Sequence, residues 1–461
     1  MQSDQIEKNE KDPRKLSLLI VYQVLEKGAY TNITLDRYLR TASLLPDDRH
    51  LVTEIVNGTV RMLKHLDWVL NLFLRKPIET QNPWLRNVLR ISLYQMLFME
   101  KIPDYACVNS AVKLIRDKLG SKLSGVGNGV LRNIARNRAS LQYPDQADII
   151  KYLAVYNSQP EWLVQKWVAE YDFPVVQNML TYFNQRPGLV LRNNDLLGSR
   201  NELIEALIQE GVHCLASPRT PWGVLIEGMD RSLEELRAYR EGRFYVQNEA
   251  SMLAVCILNP GMGEHIVDLC SGVGGKTTFM AELMNNIGQI DAYEIYQHKI
   301  DLLRTNSTRL HVSIINGHHQ DIMAIPTGTE LAQGVLLDVP CSGLGVLNRR
   351  ADSRWRKNSE DIINLTGLQA KFMEQAGQLV APGGRLVYST CTINSSENED
   401  IVAEFLRNNP VFFLEGFAGE IEFFPLDEED KRCAATGMLT IIPGKYRTDG
   451  MFYARIRRNK G

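Results

Sequence analysis

The sequence predicts a multidomain chain with an all-α front module, a small α+β connector and an α/β domain built on a doubly wound, mostly parallel sheet. Three observations predict it. The chain has 461 residues, more than one ordinary hydrophobic core organises. Apolar residues recur at three- and four-residue spacing through the first third, the period of helices that bury one face. From Gly242 onward, short apolar runs alternate with helical patterns, as parallel strands joined by crossover helices do.

In the front module the helical period runs over residues 14–27, 47–64, 66–74, 84–100, 107–119 and 124–137, with breaks at Pro46, Pro77, Pro83 and Pro103. The stretch LQYPDQ, residues 141–146, punctuates its end and sets the first domain at 1–145. The connector, 146–240, opens on a helical stretch from Glu161 to Tyr182. It continues through PGLVLRNND, in which LVLR is strand-like, then LIEALIQEGV and the apolar GVLIEGM. The third domain, 241–461, reads HIVDLC, helix, QIDAYE, helix, VSIIN, GVLLDVPC, a long helix from Ser359 to Leu379, and GGRLVYSTC.

Composition narrows the function classes. With 44% hydrophobic and 23% charged residues the chain reads as a soluble globular protein. The longest early apolar stretch, LSLLIVYQVL, is about half a membrane span and follows a charged leader, so it reads as a buried helix and the protein as cytoplasmic, with no membrane partner. Seven cysteines without C-x-x-C pairs and eight histidines without ligand spacing predict neither a disulfide frame nor a metal site. Charge is uneven. Residues 51–140 hold 14 Lys plus Arg against 6 Asp plus Glu, a surplus of eight in a chain whose net charge is −2. Arg61, Lys64, Arg86, Arg90, Lys113, Arg116, Lys118, Lys122, Arg132, Arg136 and Arg138 make this module either a polyanion-binding surface or a solvated helical face.

The chemistry begins at DLCSGVGGKTT, residues 268–278, a glycine turn between a strand and a helix. A triphosphate-binding loop, G-x-x-x-x-G-K-[ST], requires glycine five residues before Gly275, and Cys270 stands there. Another ligand is required. Asp268, Glu294, Asp321, Asp338 and Cys391 fall at or just past the ends of successive strands, where open α/β sheets bind ligands. Glu294, 26 residues after Asp268, is placed to accept from both ribose hydroxyls of an adenosine, and Asp321 to take an adenine amino group. The turn Cys270-Ser271-Gly272-Val273-Gly274-Gly275-Lys276 brings backbone close to the ligand and opens a helix N-terminus suited to a carboxylate such as that of methionine. Together these describe S-adenosylmethionine, with Asp338 also on its rim. Each acid taken singly reads equally as a cap or a surface charge; it is their repetition at strand ends that points to a ligand.

DLCSGVGGKT, DVPCSGLG, YSTCT with the following ENED, and the closing TDGMFYARI resemble, in order, motifs of the RNA cytosine-5 methyltransferases of the Sun group. EGRFYVQNEAS (241–251) is similar to the entry segment of that family, and PGLVLRNND resembles its RNA-recognition-like subdomain. LVTEIVNGTVRMLKHLDWVL, NVLRISLYQMLFMEKIPDYACVNSAVKLIRDKLG and GVGNGVLRNIAR resemble the NusB antitermination fold. The resemblances imply a NusB-like RNA-binding front, a Rossmann-like methyltransferase domain, S-adenosylmethionine as cofactor, 16S rRNA as partner and a monomeric enzyme. One departure stands out: the family usually has C-A-A-P-G-G-K, and Ser271-Gly272-Val273 replace A-A-P here, giving a less rigid turn, while Gly274, Gly275 and Lys276 are retained.

Carbon 5 of cytosine is a weak nucleophile, so methylation there requires a thiolate to add first to carbon 6. Cys341, in Pro340-Cys341, and Cys391, in Thr390-Cys391, both lie at the rim, and spacing alone does not choose between them. The resemblance implies Cys391 as nucleophile and Cys341 as the group that assists release, with Asp338 bonding the base. Positive charge from Lys276 or from the sulfonium of the cofactor is expected to raise the thiolate share. Cys107, Cys214, Cys256 and Cys433 lack such surroundings and read as structural. Arg349 and Arg350 are phosphate contacts or a solvated loop. A non-catalytic RNA-binding assembly or antitermination factor is the competing class, and the retained Cys341 and Cys391 argue against it. An amino-group methyltransferase is disfavoured because Asp338-Val339-Pro340-Cys341 lacks the amide and the aromatic partner of an N-P-P-Y turn.

Overall fold

The computed structural model of the protein describes residues 10–326 and 328–460, and these divide into two compact units. One comprises the chain up to Arg186 together with Leu347–Arg356; the other comprises Pro187–Val346 and the chain from Lys357 onward.

The first unit is helical. Asp12 caps its first helix, Pro13–Lys27, by accepting from the backbone of Arg14 and Lys15, Pro13 fills the first turn, and Gly28 ends it at φ 73°. The helices Thr31–Thr41, Pro46–Arg61, Leu63–Phe73, Pro83–Phe98, Asp104–Leu119 and Ser121–Asn137 follow and share one apolar core. Thr31–Thr41 lies outside the apolar period, because it buries Thr31, Thr34, Leu35 and Tyr38 and leaves Ile33 exposed. The expected helix from Glu161 to Tyr182 is two, Glu161–Glu170 and Phe173–Asn184, since Pro174 fits a first turn and not a helix interior.

This unit also holds the segment Leu347–Arg356. Arg354, 1% exposed, donates to the carbonyl oxygens of Ser158 and Phe183 and to Asn184, and burial pushes its guanidinium down to about 9. Trp355 donates to Val60 O, and Asp352 accepts from Thr31 N. Arg349 and Arg350 stay exposed.

Part of the basic surplus is internal. Arg61 and Arg90 are buried, Arg90 and Asp67 form a two-point ion pair at 2.7 Å, and Arg86 pairs with Glu26. Lys64 pairs with Glu161. Lys113, Arg116, Lys118, Lys122, Arg132, Arg136 and Arg138 are exposed on or beside the last two helices of the core.

The second unit contains two sheets. The strands β1 (Leu189–Asn193), β2 (His213–Ala216), β3 (Gly223–Gly228) and β4 (Phe244–Val246) pair antiparallel in the order β2-β3-β1-β4, with the helix Arg200–Gln209 between β1 and β2. Ser199 and Glu202 form a capping box at the start of that helix.

The larger sheet contains β5 (His265–Asp268), β6 (Gln289–Glu294), β7 (Ile315–His319), β8 (Ala332–Asp338), β9 (Val380–Thr390), β10 (Phe412–Leu414), β11 (Met438–Ile441) and β12 (Met451–Arg458). Its order is β10-β12-β9-β8-β5-β6-β7, with β11 also on β12. The pairs β9-β8-β5-β6-β7 are parallel and β12 is antiparallel to its neighbours. Chain order therefore runs outward in opposite directions from β5 and β8, the topological switch point at whose carboxyl ends such sheets bind ligands. Apolar cores lie under both faces, with Leu253, Phe279 and Tyr453 in one and Val267, Leu337 and Phe405 in the other.

β7 begins three residues later than VSIIN predicts. Its register against β6 runs from Ile290↔Ile315 to Glu294↔His319, and it is fixed by side chains: His318 contacts Asp291 at 2.9 Å and stacks on Tyr293. Among the described residues, no helix is long and apolar enough to cross a membrane.

Candidate active site

Five parallel strands deliver the predicted rim. Asp268, Glu294 and Asp338 are the last residues of β5, β6 and β8, Asp321 lies two residues beyond β7, and Cys391 follows β9. Burial, with the charges of Asp338, Asp268 and Glu294 added, pushes the Cys270 thiol well above its ordinary value, so three of the four acids converge on this turn. Asp321 is exposed and caps the short turn Ile322–Ala324 through Met323 N.

The glycine turn is built by a few side chains. Ser271 N and Oγ both donate to Tyr293 O, tying the turn to β6. Gly272 has φ 56° and open space where a Cβ would stand, and Val273 is exposed. Gly274 has φ 91°, a left-handed conformation that favours glycine, and a Cβ there would come within 2.3 Å of Leu303 Cδ1, so the leucine would have to shift to admit one. Gly275 opens the helix Gly275–Leu283. Beneath it Arg192 of β1, wholly buried, donates to Gly275 O at 2.7 Å, to Thr278 Oγ1 at 3.1 Å, to Glu282 Oε1 at 2.6 Å and to Gln247. Burial raises the Glu282 carboxyl to about 7 despite that guanidinium.

Asp268 is buried. Its Oδ2 accepts from Thr277 Oγ1 at 2.7 Å, while Oδ1 has no partner. Desolvation, aided by Asp338, raises its carboxyl to about 7. Glu294 accepts from Tyr296 N at 3.0 Å and from Lys299 Nζ at 3.2 Å. Asp338 accepts from Lys276 Nζ at 2.5 Å on one oxygen and from Ser389 Oγ at 2.7 Å on the other. Lys276 is thus engaged by Asp338.

The sulfurs of Cys341 and Cys391 stand 3.1 Å apart, and all seven cysteines are free thiols. The Cys391 sulfur, burial and the carboxylate of Glu397 together hold the Cys341 thiol well above its ordinary value. Cys391 O accepts from Gly345 N, and Gly345 O accepts from Gly450 N; a Cβ at Gly345 would meet Gly450 O at 2.2 Å. The closing TDG stretch therefore braces the cysteine turns. Burial raises Cys107 to about 11 and holds Cys256 far above the range in which a thiol ionises, whereas Cys433 is exposed. Among the described residues, no group of three or more His, Cys, Asp or Glu side chains is arranged to hold a metal ion.

Sequence reasoning did not single out Thr277, Arg192, Ser389, Lys299 or Gln369. Glu397 was seen only as part of the ENED motif, without a role. Most of these act across wide separations, 51 residues for Ser389–Asp338 and 90 for Arg192–Glu282, so local pattern carried no signal for the pairing.

The family model described as 16S rRNA methyltransferase RsmB/F matches residues 255–457, that of the NusB family residues 11–136, and that of the RsmF/B-like ferredoxin-like domain residues 159–231. A protein of Synechocystis named probable ribosomal RNA small subunit methyltransferase B is 34% identical over 448 residues, 96% of this chain and 99% of its own length. The chain belongs to the ribosomal RNA small subunit methyltransferase B family. A Bacillus subtilis member is 31% identical over 96% of this chain and 98% of its own.

The family gives the three parts their names: a NusB-like helical front, a ferredoxin-like connector and an α/β methyltransferase domain. The crystal structure of a protein called PH0851 matches with a TM-score of 0.78 at 26% identity, over 98% of this chain and all of the other. NSun6 from Pyrococcus horikoshii, crystallised with SFG, shares the fold at a TM-score of 0.56 and 22% identity, over 64% of this chain and 97% of its own. The residues of this rim fit the cofactor of a methyltransferase: Asp268 Oδ1 is a buried acceptor without a partner, and the turn at Gly272 is open.

Proposed function

We propose that the protein transfers a methyl group from S-adenosylmethionine to carbon 5 of one cytosine in 16S rRNA, through a covalent bond between Cys391 and carbon 6. The observation that carries this reading is the pair of sulfurs 3.1 Å apart at the ends of β8 and β9, on the rim that the glycine turn opens after β5. Relatives named for the small-subunit RNA support the substrate.

The cofactor supplies an electrophilic methyl group on a sulfonium. Glu294 is suited to the ribose hydroxyls, Asp321 to the adenine amino group, and the backbone of Cys270, Ser271, Gly272, Val273, Gly274 and Gly275 to the methionine end, with Asp268 supplying an acceptor from beneath. Lys276 orients Asp338 from one side and Ser389 from the other, so that Asp338 can bond the cytosine ring and its protonated nitrogen. The Cys391 thiolate then adds to carbon 6, and the double-bond pair moves to carbon 5, which takes the methyl group. Cys341, as thiolate once Cys391 is bonded to carbon 6, is assigned to accept the carbon 5 proton; the pair left by that proton re-forms the ring double bond, and the bond from carbon 6 to sulfur breaks with its electrons returning to Cys391.

The exposed basic residues of the NusB-like front, and Arg349 and Arg350, are assigned to RNA phosphates. The test is to incubate the protein with a 16S rRNA transcript and labelled cofactor, digest to nucleosides and identify the product by mass. A single 5-methylcytidine is expected. Label on an exocyclic amino group, or no transfer from active cofactor, would contradict the reading.

A further inference from the structure

Glu397 lies in the short turn Ser395–Glu397 after β9, and its side chain is fully buried. Its carboxylate accepts from Ser342 N at 2.8 Å, Ser342 Oγ at 2.5 Å, Gln369 Nε2 at 3.1 Å and Asn394 Nδ2 at 3.1 Å. No Lys, Arg or His pairs with it among the described residues. A carboxylate buried without a cation is an expensive feature of a core, and where one persists its position demands a reason.

Its position is informative. Ser342 directly follows Cys341, and Gln369 also donates to Pro340 O at 3.1 Å, so one carboxylate fixes the backbone on both sides of Cys341. Ser342 Oγ further lies 2.9 Å from Thr392 Oγ1, the residue after Cys391, which links the second cysteine turn to the same hub. Two thiols 3.1 Å apart share one hydrogen bond in which either sulfur can donate, and the sulfur that loses its proton first is decided by what else surrounds them. Negative charge on the Cys341 side opposes ionisation there.

We propose that Glu397 is a positioning residue that makes the two sulfurs inequivalent: it fixes the Pro340–Ser342 turn and sets negative charge on the side of Cys341, so that Cys391 is the sulfur that attacks. This rests on the proposed reading in which Cys391 is the nucleophile and Cys341 assists release. Glu397 is wholly buried and its carboxylate bonds Ser342, Gln369 and Asn394, so it acts through the cysteine turns.

The experiment is limiting iodoacetamide labelling of the full-length protein, with the labelled cysteine identified by mass spectrometry, on the parent and on Glu397→Gln. The parent is expected to label at Cys391 at least tenfold faster than at Cys341. Glu397→Gln should bring that ratio below threefold and slow methylation at least tenfold, while the dissociation constant for S-adenosylmethionine stays within twofold. A folded Glu397→Gln that keeps the parent ratio overturns the proposal alone. A parent that labels both sulfurs equally, or a Cys391→Ala variant that still methylates, overturns the underlying reading as well. Should Glu397→Gln fail to fold, Gln369→Leu retains the carboxylate and removes its tether to Pro340; it is expected to lower the ratio at least twofold, and an unchanged ratio there counts equally against the proposal.

Discussion

Lys276 Nζ and Asp338 Oδ2 lie 2.5 Å apart, joining the glycine turn after β5 to the end of β8. The sequence placed Lys276 as a source of positive charge for a cysteine; the geometry gives that charge to Asp338. Lys276→Met leaves Asp338 with Ser389 alone. A charge-assisted hydrogen bond of roughly 1.5–3 kcal/mol corresponds to a fall in methylation of about 10- to 150-fold. Turnover with labelled cofactor measures it, and an unchanged rate in a folded variant removes the pair from the mechanism.

Glu294 is a second point of leverage. Its buried carboxylate is oriented by Tyr296 N and Lys299 Nζ, and the proposed reading assigns it to the ribose hydroxyls of the cofactor. Glu294→Ala should weaken S-adenosylmethionine binding by roughly 1.5–3 kcal/mol for each hydrogen bond removed, before water compensates. Calorimetric titration reads this directly. A dissociation constant equal to the parent's excludes Glu294 from the cofactor site.

Asp268 predicts a pH dependence. Its carboxyl is raised from the ordinary 3.8 to about 7 because burial disfavours the charge. A raised acid contributes stability in full below pH 3.8 and loses it as the pH climbs through about 7. Asp268→Asn keeps an acceptor for Thr277 and has no charge to bury, so it should melt higher than the parent at pH 8, with the gap closing toward pH 4, while binding the cofactor more weakly. Parallel melting curves across that range contradict the assignment.

The basic front divides by burial. Arg61 and Arg90 are internal, so replacing them should lower stability and leave the salt dependence of RNA binding unaltered. Replacing Arg132, Arg136 and Arg138 together should flatten the slope of log affinity against log salt by up to about 0.7 to 0.9 for each RNA phosphate that is no longer neutralised. Equal slopes for variant and parent make the charge a solvated face.

The rim was legible because three of its four acids end apolar strands, a signal contained in six or seven consecutive residues, whereas Asp321 lies beyond the less apolar β7. Asp268, Glu294 and Asp338 sit at the last positions of β5, β6 and β8. β7 was not, because VSIIN is more apolar than INGHH, and the register of the strand comes instead from the partners of His318 on β6. Thr31–Thr41 escapes the apolar period since its buried face is half threonine. The LNRRADSRWR segment reads as a charged loop, yet Arg354 is buried against backbone carbonyls nearly 200 residues away in sequence, at Ser158. Glu397 falls in the same class: its partners Ser342 and Gln369 lie 55 and 28 residues off, beyond any local pattern.

The separate roles of Cys391 and Cys341 are tested most directly by a denaturing gel of each alanine variant after incubation with 16S rRNA transcript and labelled cofactor. Cys391→Ala has no sulfur to add to carbon 6 and should give neither methylated RNA nor a protein–RNA band, while still binding cofactor. Cys341→Ala should form the bond and transfer the methyl group, yet fail to release, leaving a labelled complex that survives denaturation. A stable complex from Cys391→Ala and none from Cys341→Ala would contradict the account and make Pro340-Cys341 the nucleophilic turn.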